Sequence, residues 1–344
     1  MLFPEGHGLY PGHGKLRGFV RFFNLSTGAF ARVRLPTFKD HCVLYSVEGI
    51  LLLQRDHGTA ICLLHPFTGD ILDFPPLDTM LRYVSSLLVG DKWYRLRDIR
   101  VASINVRAGQ AVSLMIFSQG MMQIAFATSG EQQWKVSSWC FNQYVSPLPF
   151  QGKLYVVHHY AQIDPPQLEG PEPWLPPPRL ITKCPACTPQ ATFCYHLVEC
   201  DTVILLVSLR VGVDYHGINR TSVYRLADLM LGRTVRVTYI GGNALFMGFT
   251  NLCVRSKAFP TVVGDTIVFF DHHYNYLAPY HLSSGTSLPA PSDGSISTRE
   301  FAIPSPFSII YHIYTCCYRD QWNKGQIRFG GGGSKGWRVK RKWR

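Results

Sequence analysis

The densest group of potential metal ligands in the chain comprises Cys184, Cys187, Cys194, His196 and Cys200. Zinc takes four thiolate or imidazole ligands in a tetrahedron, and a Cys-x-x-Cys turn supplies two of them. The last three lie in a stretch typical of a β-strand, where side chains two positions apart share a face but stand about 6–7 Å apart. The alternative is that these are ordinary loop and core thiols. We predict no metal site here.

Two histidine pairs follow apolar stretches of the chain. They are His158 with His159, and His272 with His273, the second pair standing next to Asp271. Imidazole is the commonest metal ligand and titrates near neutrality, so together these groups would suit a metal-binding or hydrolytic protein. The alternative is that they are polar strand ends of a repeated unit. It is favoured because no third element fixes the geometry of a cluster.

The sequence lacks the familiar catalytic signatures. It contains no Gly-x-Ser-x-Gly elbow, no His-Glu-x-x-His, no phosphate loop ending in Gly-Lys and no dinucleotide-binding fingerprint. We therefore predict a protein that is not an enzyme and holds no cofactor.

The composition is that of a globular chain. Of the 344 residues, 46% are hydrophobic and only 16% are charged, which provides for a sizeable core and excludes wholesale disorder. The first residues show neither the basic nor the apolar part of a signal peptide, and the strongest apolar run, 203–207, is too short to span a bilayer. We expect a soluble protein of the cytoplasm or nucleus with no membrane partner and with most of its ten cysteines reduced.

The net charge of +12 is concentrated at one end. Residues 335–344 hold six Lys or Arg and no acid, and they follow the glycine-rich linker 330–334. This tail would suit nuclear import, or a nucleic-acid or anionic-membrane patch. The alternative is an unselected extension beyond the domain. Since the rest of the chain is only mildly basic, we expect no nucleic-acid partner except through the tail.

The elements that would position these groups are repeated hairpins. The stretch Asn24–Gly28 recurs 41 residues later as His65–Asp70, and a looser copy spans Ser284–Pro289. A Thr-Gly tip between short apolar runs is typical of a hairpin turn, because glycine tolerates the positive φ that such turns need. A hairpin repeated at about forty residues has the spacing of a four-stranded propeller blade.

A second repeated element supports this interpretation. Turns at Gly49, Gly152 and Gly264 each lead into a strand that is apolar on both faces, as an inner blade strand must be. The sequence therefore predicts an all-β fold, a single β-propeller of about six blades with seven as the alternative. The predicted blades span 41–77, 100–138, 143–200, 201–240 and 243–290, with 15–38 and 300–328 pairing to close the ring.

The predicted propeller domain is 15–329, after an N-terminal extension, 1–14, and before the linker and tail, 330–344. Two segments interrupt the repeats. Residues 78–99 would form a short helix and loop, and the proline-rich stretch 163–189 would form an extended surface insertion.

An ordered set of motifs resembles a known family. Ser222–Asp228 is followed by Ile240–Gly248, then by Ser256–Pro260 and Gly264–Phe270, and His65–Gly69 precedes them all. This order resembles the plant F-box-associated, KIB-type β-propeller family, a domain-of-unknown-function family, over about residues 40–318. The resemblance implies a non-enzymatic propeller that recognises a protein. In many members of the family an N-terminal F-box docks a Skp-type adaptor, which makes them substrate receptors of SCF-type ubiquitin ligases.

The propeller-like hairpins begin by about Leu16. We expect no F-box before them. We therefore predict an unidentified protein partner, no F-box contact with a Skp-type adaptor, and a monomer. The candidate partner-binding rim residues follow the inner-type strands. They are His159, Tyr160, His272, Tyr274 and Tyr276.

Overall fold

The structure is a computed structural model of the chain. The residues it describes are 2–3, 19–23, 30–39, 41–47, 50–55, 59–83, 99–106, 112–117, 123–139, 147–151, 153–157, 179–185, 192–211, 218–248, 251–259, 262–271 and 276–287.

Most of the described chain is β-structure. The strands are β1 Leu2–Phe3, β2 Phe19–Phe23, β3 Phe30–Arg34, β4 His41–Val47, β5 Ile50–Arg55, β6 Ile61–Leu64, β7 Ile71–Phe74, β8 Arg100–Val106, β9 Val112–Phe117, β10 Ile124–Thr128, β11 Lys135–Val136, β12 Leu148–Phe150, β13 Lys153–Tyr155, β14 Thr192–Cys200, β15 Val203–Val211, β16 Ile218–Arg225, β17 Asn243–Phe246, β18 Leu252–Arg255, β19 Thr266–Asp271, β20 Tyr276–His281 and β21 Thr286–Ser287. One α-helix, α1, is described at Leu226–Met230, with 3₁₀ helices at Pro36–Lys39, Leu77–Tyr83 and Ser256–Ala258. The predicted all-β class is confirmed.

The described strands form sheets that follow one another along the chain. They are the first sheet β1–β3, the second sheet β4–β7, the third sheet β8–β11, the fourth sheet β12–β13, the fifth sheet β14–β16 and the sixth sheet β17–β21. The second and third sheets are simple antiparallel meanders. Their bounds agree with the predicted blades 41–77 and 100–138.

The strand after Gly49 is an inner strand, as predicted. Leu51, Leu52 and Leu53 of β5 are all at most 1% exposed, so successive side chains on both faces are buried. A strand buried on both faces lies between two layers, which explains its unbroken apolar run.

The repeated hairpin is the same turn built twice, and it includes a histidine. The backbone N–H of Gly69 donates to His65 O over 2.8 Å, and that of Gly285 donates to His281 O over 3.0 Å. Both glycines have positive φ, 82° and 69°. In each turn the ring Nδ1 of the histidine also accepts a hydrogen bond from the residue before the glycine. The Thr-Gly signal thus marks equivalent turns of the second and sixth sheets.

The fifth sheet departs from the predicted boundaries, and the sixth sheet, whose span agrees with the predicted blade 243–290, departs in the pairing of its strands. β14 pairs along its whole length with β15, so the predicted boundary at Cys200 falls on a hairpin turn inside one sheet. In the sixth sheet, β17 pairs in parallel with β19 because β18 folds back along the other edge of β17. Both departures arise from pairing between strands, which the local apolar pattern does not record.

Buried clusters join consecutive sheets. One apolar cluster lies between the second and third sheets, and smaller ones join the third to the fourth and the fourth to the fifth. Another lies between the fifth and sixth sheets. This serial stacking is the arrangement of propeller blades, because each sheet buries its faces against its neighbours. None of the described helices has both the length and the apolar character needed to cross a membrane.

Several predicted features lie wholly or partly outside the described residues. The ring-closing segment 300–328 and the tail 330–344 are among them. Of 78–99, the structure describes the 3₁₀ helix through Tyr83 and residue 99, and of the proline-rich stretch it describes 179–185.

Candidate interaction surface

Most of the predicted rim residues lie outside the described part of the chain. These are His159, Tyr160, His272 and Tyr274. Tyr276 begins β20 and its backbone pairs with Asp271 of β19. The companion histidines of the metal or acid–base hypothesis, at 158 and 273, are likewise outside the described residues. The rim site and the histidine cluster therefore remain predictions.

The cysteine-rich stretch divides between two sides of the fifth sheet. Cys200 and Cys194 of β14 pack in the cluster shared with the sixth sheet. Cys184 packs in the cluster that faces the fourth sheet instead. Within the described residues, no three His, Cys, Asp or Glu side chains are gathered as a metal site would need. Cys184 lies in the loop segment 179–185, whereas Cys194 and Cys200 share one face of β14, so the thiols are held by different parts of the fold.

An exposed apolar surface begins at α1. Leu226 and Leu229 are buried in the core, so the helix is held by one face. Met230 and Leu231 follow at 53% and 67% exposure. Gly232 then ends the helix with φ 73°, and its N–H donates to Leu229 O over 2.9 Å. A glycine in this conformation is a common helix stop, and here it leaves two large apolar side chains in solvent.

The loop after α1 is fixed in its middle and at its far end by hydrogen bonds. Val237 N–H donates to Val223 O of β16 over 2.8 Å, which lays the loop along the edge of the fifth sheet. The carboxylate Oδ1 of Asp265 accepts from the N–H groups of Ile240, over 2.7 Å, and Gly242, over 3.2 Å. A loop anchored in this way presents its outward side chains at low entropic cost.

The segment 179–185 lies beside the helix. Thr182 Oγ1 donates to Leu229 O over 2.9 Å, and Tyr195 of β14 donates its hydroxyl to Pro185 O over 2.9 Å. Leu180 is 68% exposed on this segment. The proline-rich stretch thus contributes to the same surface as α1 and its loop.

We call this region the apolar–arginine surface. Its exposed members are Leu180, Ile181, Met230, Leu231, Val235 and Tyr239, together with Arg233 and Arg236.

The chemistry of the apolar–arginine surface suits a protein partner. Exposed apolar side chains along 230–239 and on the segment hydrogen-bonded to α1 are suited to an interaction site, and binding hot spots are enriched in tyrosine and arginine. The two contributing stretches, 179–185 and 231–240, carry four Lys or Arg residues and no Asp or Glu. A partner that fits would therefore present apolar side chains beside acidic ones.

A cleft also lies between the second and third sheets. It has a volume of about 440 Å³ and is lined by residues 71–76 and 129–132. Its wall is fixed by Trp134, which stacks on Phe74 and donates its indole N–H to Pro75 O over 2.8 Å. Among its lining residues the titratable side chains are Asp73 and Glu131, and the Glu131 carboxylate forms an ion pair with Lys135 over 2.6 Å. Among the described residues that line this cleft, no nucleophile is paired with a base.

Comparison with known families identifies the fold. A model of the KIB1-4 β-propeller matches residues 22–289, which is most of the chain. No curated protein matches the sequence. The match confirms the predicted propeller. It covers the second to sixth sheets in full and, in the first sheet, β3 and the end of β2.

Proposed function

The chain belongs to the KIB1-4 β-propeller family, and on that premise we propose that it binds a protein partner through the apolar–arginine surface, as the substrate-recognition propeller of a ubiquitin ligase would. Its family makes it a protein-interaction propeller. The apolar–arginine surface carries the proposal, because it combines exposed Tyr239 and Met230 with two exposed arginines on a hydrogen-bonded framework.

The surface is suited to an extended partner segment of mixed character. Apolar side chains of the partner would cover Leu231 and Val235, which are 67% and 60% exposed. Acidic side chains would pair with Arg233 and Arg236. Exposed charges such as these arginines mainly accelerate association. An aromatic side chain that becomes buried in the complex, here Tyr239, mainly determines how long the complex lasts.

Quantitative affinity purification tests protein recognition. The bait is the full chain, compared with Tyr239→Ala and with the double variant Arg233→Glu/Arg236→Glu. The matched control is Arg34→Glu/Arg55→Glu, which makes the same charge change on the first and second sheets. A partner is expected to fall at least tenfold with Tyr239→Ala and to persist in the control, the effect of losing a hot spot of about 2 kcal/mol. Equal recovery by all baits would refute use of this surface.

The ligase role is tested separately with the same purifications. A Skp-type adaptor recovered equally by the wild-type chain and both surface variants would support it, because adaptor docking and substrate binding use different surfaces. Recovery of surface-dependent partners with no adaptor or cullin would refute the ligase role and leave protein recognition standing.

A further inference from the structure

Two cysteine thiols meet where the fifth and sixth sheets pack together. Cys200 is the last residue of β14 and Cys253 lies in β18, and their Sγ atoms are 3.1 Å apart. The Cys253 thiol donates to Cys200 Sγ. Cys200 is only 4% exposed, while Cys253 is partly buried and lies nearer to solvent. This pair joins two consecutive sheets through residues that are 53 positions apart in the chain.

Polar groups surround the pair and favour one sulfur as the acceptor. The Asn243 Nδ2 group lies 3.6 Å from Cys200 Sγ and also donates to Asp201 Oδ2 over 3.0 Å. The hydrogen bond from Cys253, followed by that from Asn243, lowers the pKa of Cys200 although burial and the charges of Asp201 and Asp265 act the other way. The hydrogen bond to Cys200, then burial, raises the pKa of Cys253.

We propose that Cys200 and Cys253 form a peroxide-sensitive dithiol whose oxidation creates a disulfide between the fifth and sixth sheets. Two sulfur atoms already in contact across a packed interface need little movement to bond, whereas most cysteine pairs in a chain are held apart by their backbones. The site is independent of the apolar–arginine surface and of the ligase role.

The reaction with hydrogen peroxide balances in two steps. The Cys200 thiolate attacks one peroxide oxygen, the O–O bond breaks, and the leaving hydroxide takes the proton released from the thiol, giving sulfenic acid and water. The Cys253 sulfur then attacks the sulfenic sulfur, the S–O bond breaks, and the departing hydroxide takes the Cys253 proton as a second water. Two thiols are oxidised and one peroxide is reduced to two waters.

The disulfide would also stabilise the fold. It would close a loop between positions 53 residues apart. Restricting the unfolded chain over such a loop is expected to raise the melting temperature of this chain by roughly 5 °C.

Mass spectrometry of the full chain is the test. The protein is treated with hydrogen peroxide, alkylated with iodoacetamide and digested without reduction. The expected product is a Cys200–Cys253 linked peptide that disappears on dithiothreitol treatment. Cys194→Ser, on the same strand, should keep the link, and in the wild-type chain the Cys194 thiol should resist peroxide because burial raises the pKa of Cys194.

Three results would overturn the proposal. They are full alkylation of both thiols after peroxide, over-oxidation of Cys200 without a link, and a link from either thiol to another cysteine. The measurement uses the wild-type chain, so it does not depend on whether Cys200→Ser or Cys253→Ser folds. Where those variants fold, each should lose both the link and the peroxide-induced rise in melting temperature.

Discussion

The fold should carry an acid-sensitive point at His196, in the middle of β14. Its ring Nδ1 is buried and has no hydrogen-bond partner among the described residues. Burial lowers the pKa of His196 from 6.5 to about 4. The neighbouring Cys194 supports this, since burial raises the pKa of that thiol on the same face of the strand.

The sign and size of the effect follow from linkage. Between pH 6.5 and 4 the unfolded chain binds the proton that the folded His196 excludes, so stability is lost as the pH falls through this window. With those two pKa values, the free energy of unfolding should fall by about 2 kcal/mol between pH 7.5 and pH 5, and by about 3 kcal/mol in all below pH 4.

The perturbation is His196→Leu, which replaces the titrating imidazole with an apolar side chain of similar size. The assay is urea unfolding followed by tryptophan fluorescence at pH 7.5, 6 and 5. The stability difference between variant and wild type should shift by about 2 kcal/mol in favour of the variant from pH 7.5 to pH 5. Comparing the two proteins cancels the other titrating groups that they share.

The matched control is Val207→Ala, the fully buried cross-strand partner of His196. It removes packing at the same place without a titrating group, so it should cost about 1–2 kcal/mol at every pH. If the difference in free energy of unfolding between His196→Leu and the wild type stays constant from pH 7.5 to 5, the reasoning is refuted. That result would mean that the folded protein accommodates the imidazolium.

Other predictions concern groups that hold the sheets and the loop. Trp134→Phe should lower the free energy of unfolding by about 1–3 kcal/mol in chemical denaturation, because the buried carbonyl of Pro75 loses its donor; an unchanged denaturation midpoint would contradict this. Gly264→Ala should cost about 1–3 kcal/mol, because the new Cβ would stand 2.8 Å from Gly242 O; a neutral result would show that the backbone moves freely there. Asp265→Ala should speed hydrogen exchange at the two amides that its carboxylate holds, while Asp265→Asn, which keeps the accepting oxygen, should have the smaller effect.

The local sequence determined much of the second and third sheets. The apolar run at Leu51–Leu53 and the Thr-Gly tip at Gly69 are short-range signals, because strand alternation and a positive-φ turn each depend on a few neighbouring residues. The order of the motifs likewise identified the KIB-type family, which the match over residues 22–289 confirms.

The candidate site was not predicted. Tyr239 and Met230 fall in or beside motifs that gave the family resemblance, yet nothing in their types shows that they face solvent. Their exposure depends on which side of α1 packs inward and on where Asp265 anchors the loop. The sequence also did not predict that His281 belongs to the repeated turn, because the residues between the histidine and the glycine differ between the two copies.

The sequence alone determined strand positions, turns and family, since these follow from residue types within a few positions of one another. Only the tertiary structure decided that β14 pairs with β15 through the hairpin turn after Cys200, that β17 lies parallel to β19, and that the Cys200 thiol contacts that of Cys253. These outcomes rest on contacts between residues far apart in the chain. Which distant partners meet is set by the packing of whole sheets against one another, and that packing leaves no local pattern to read.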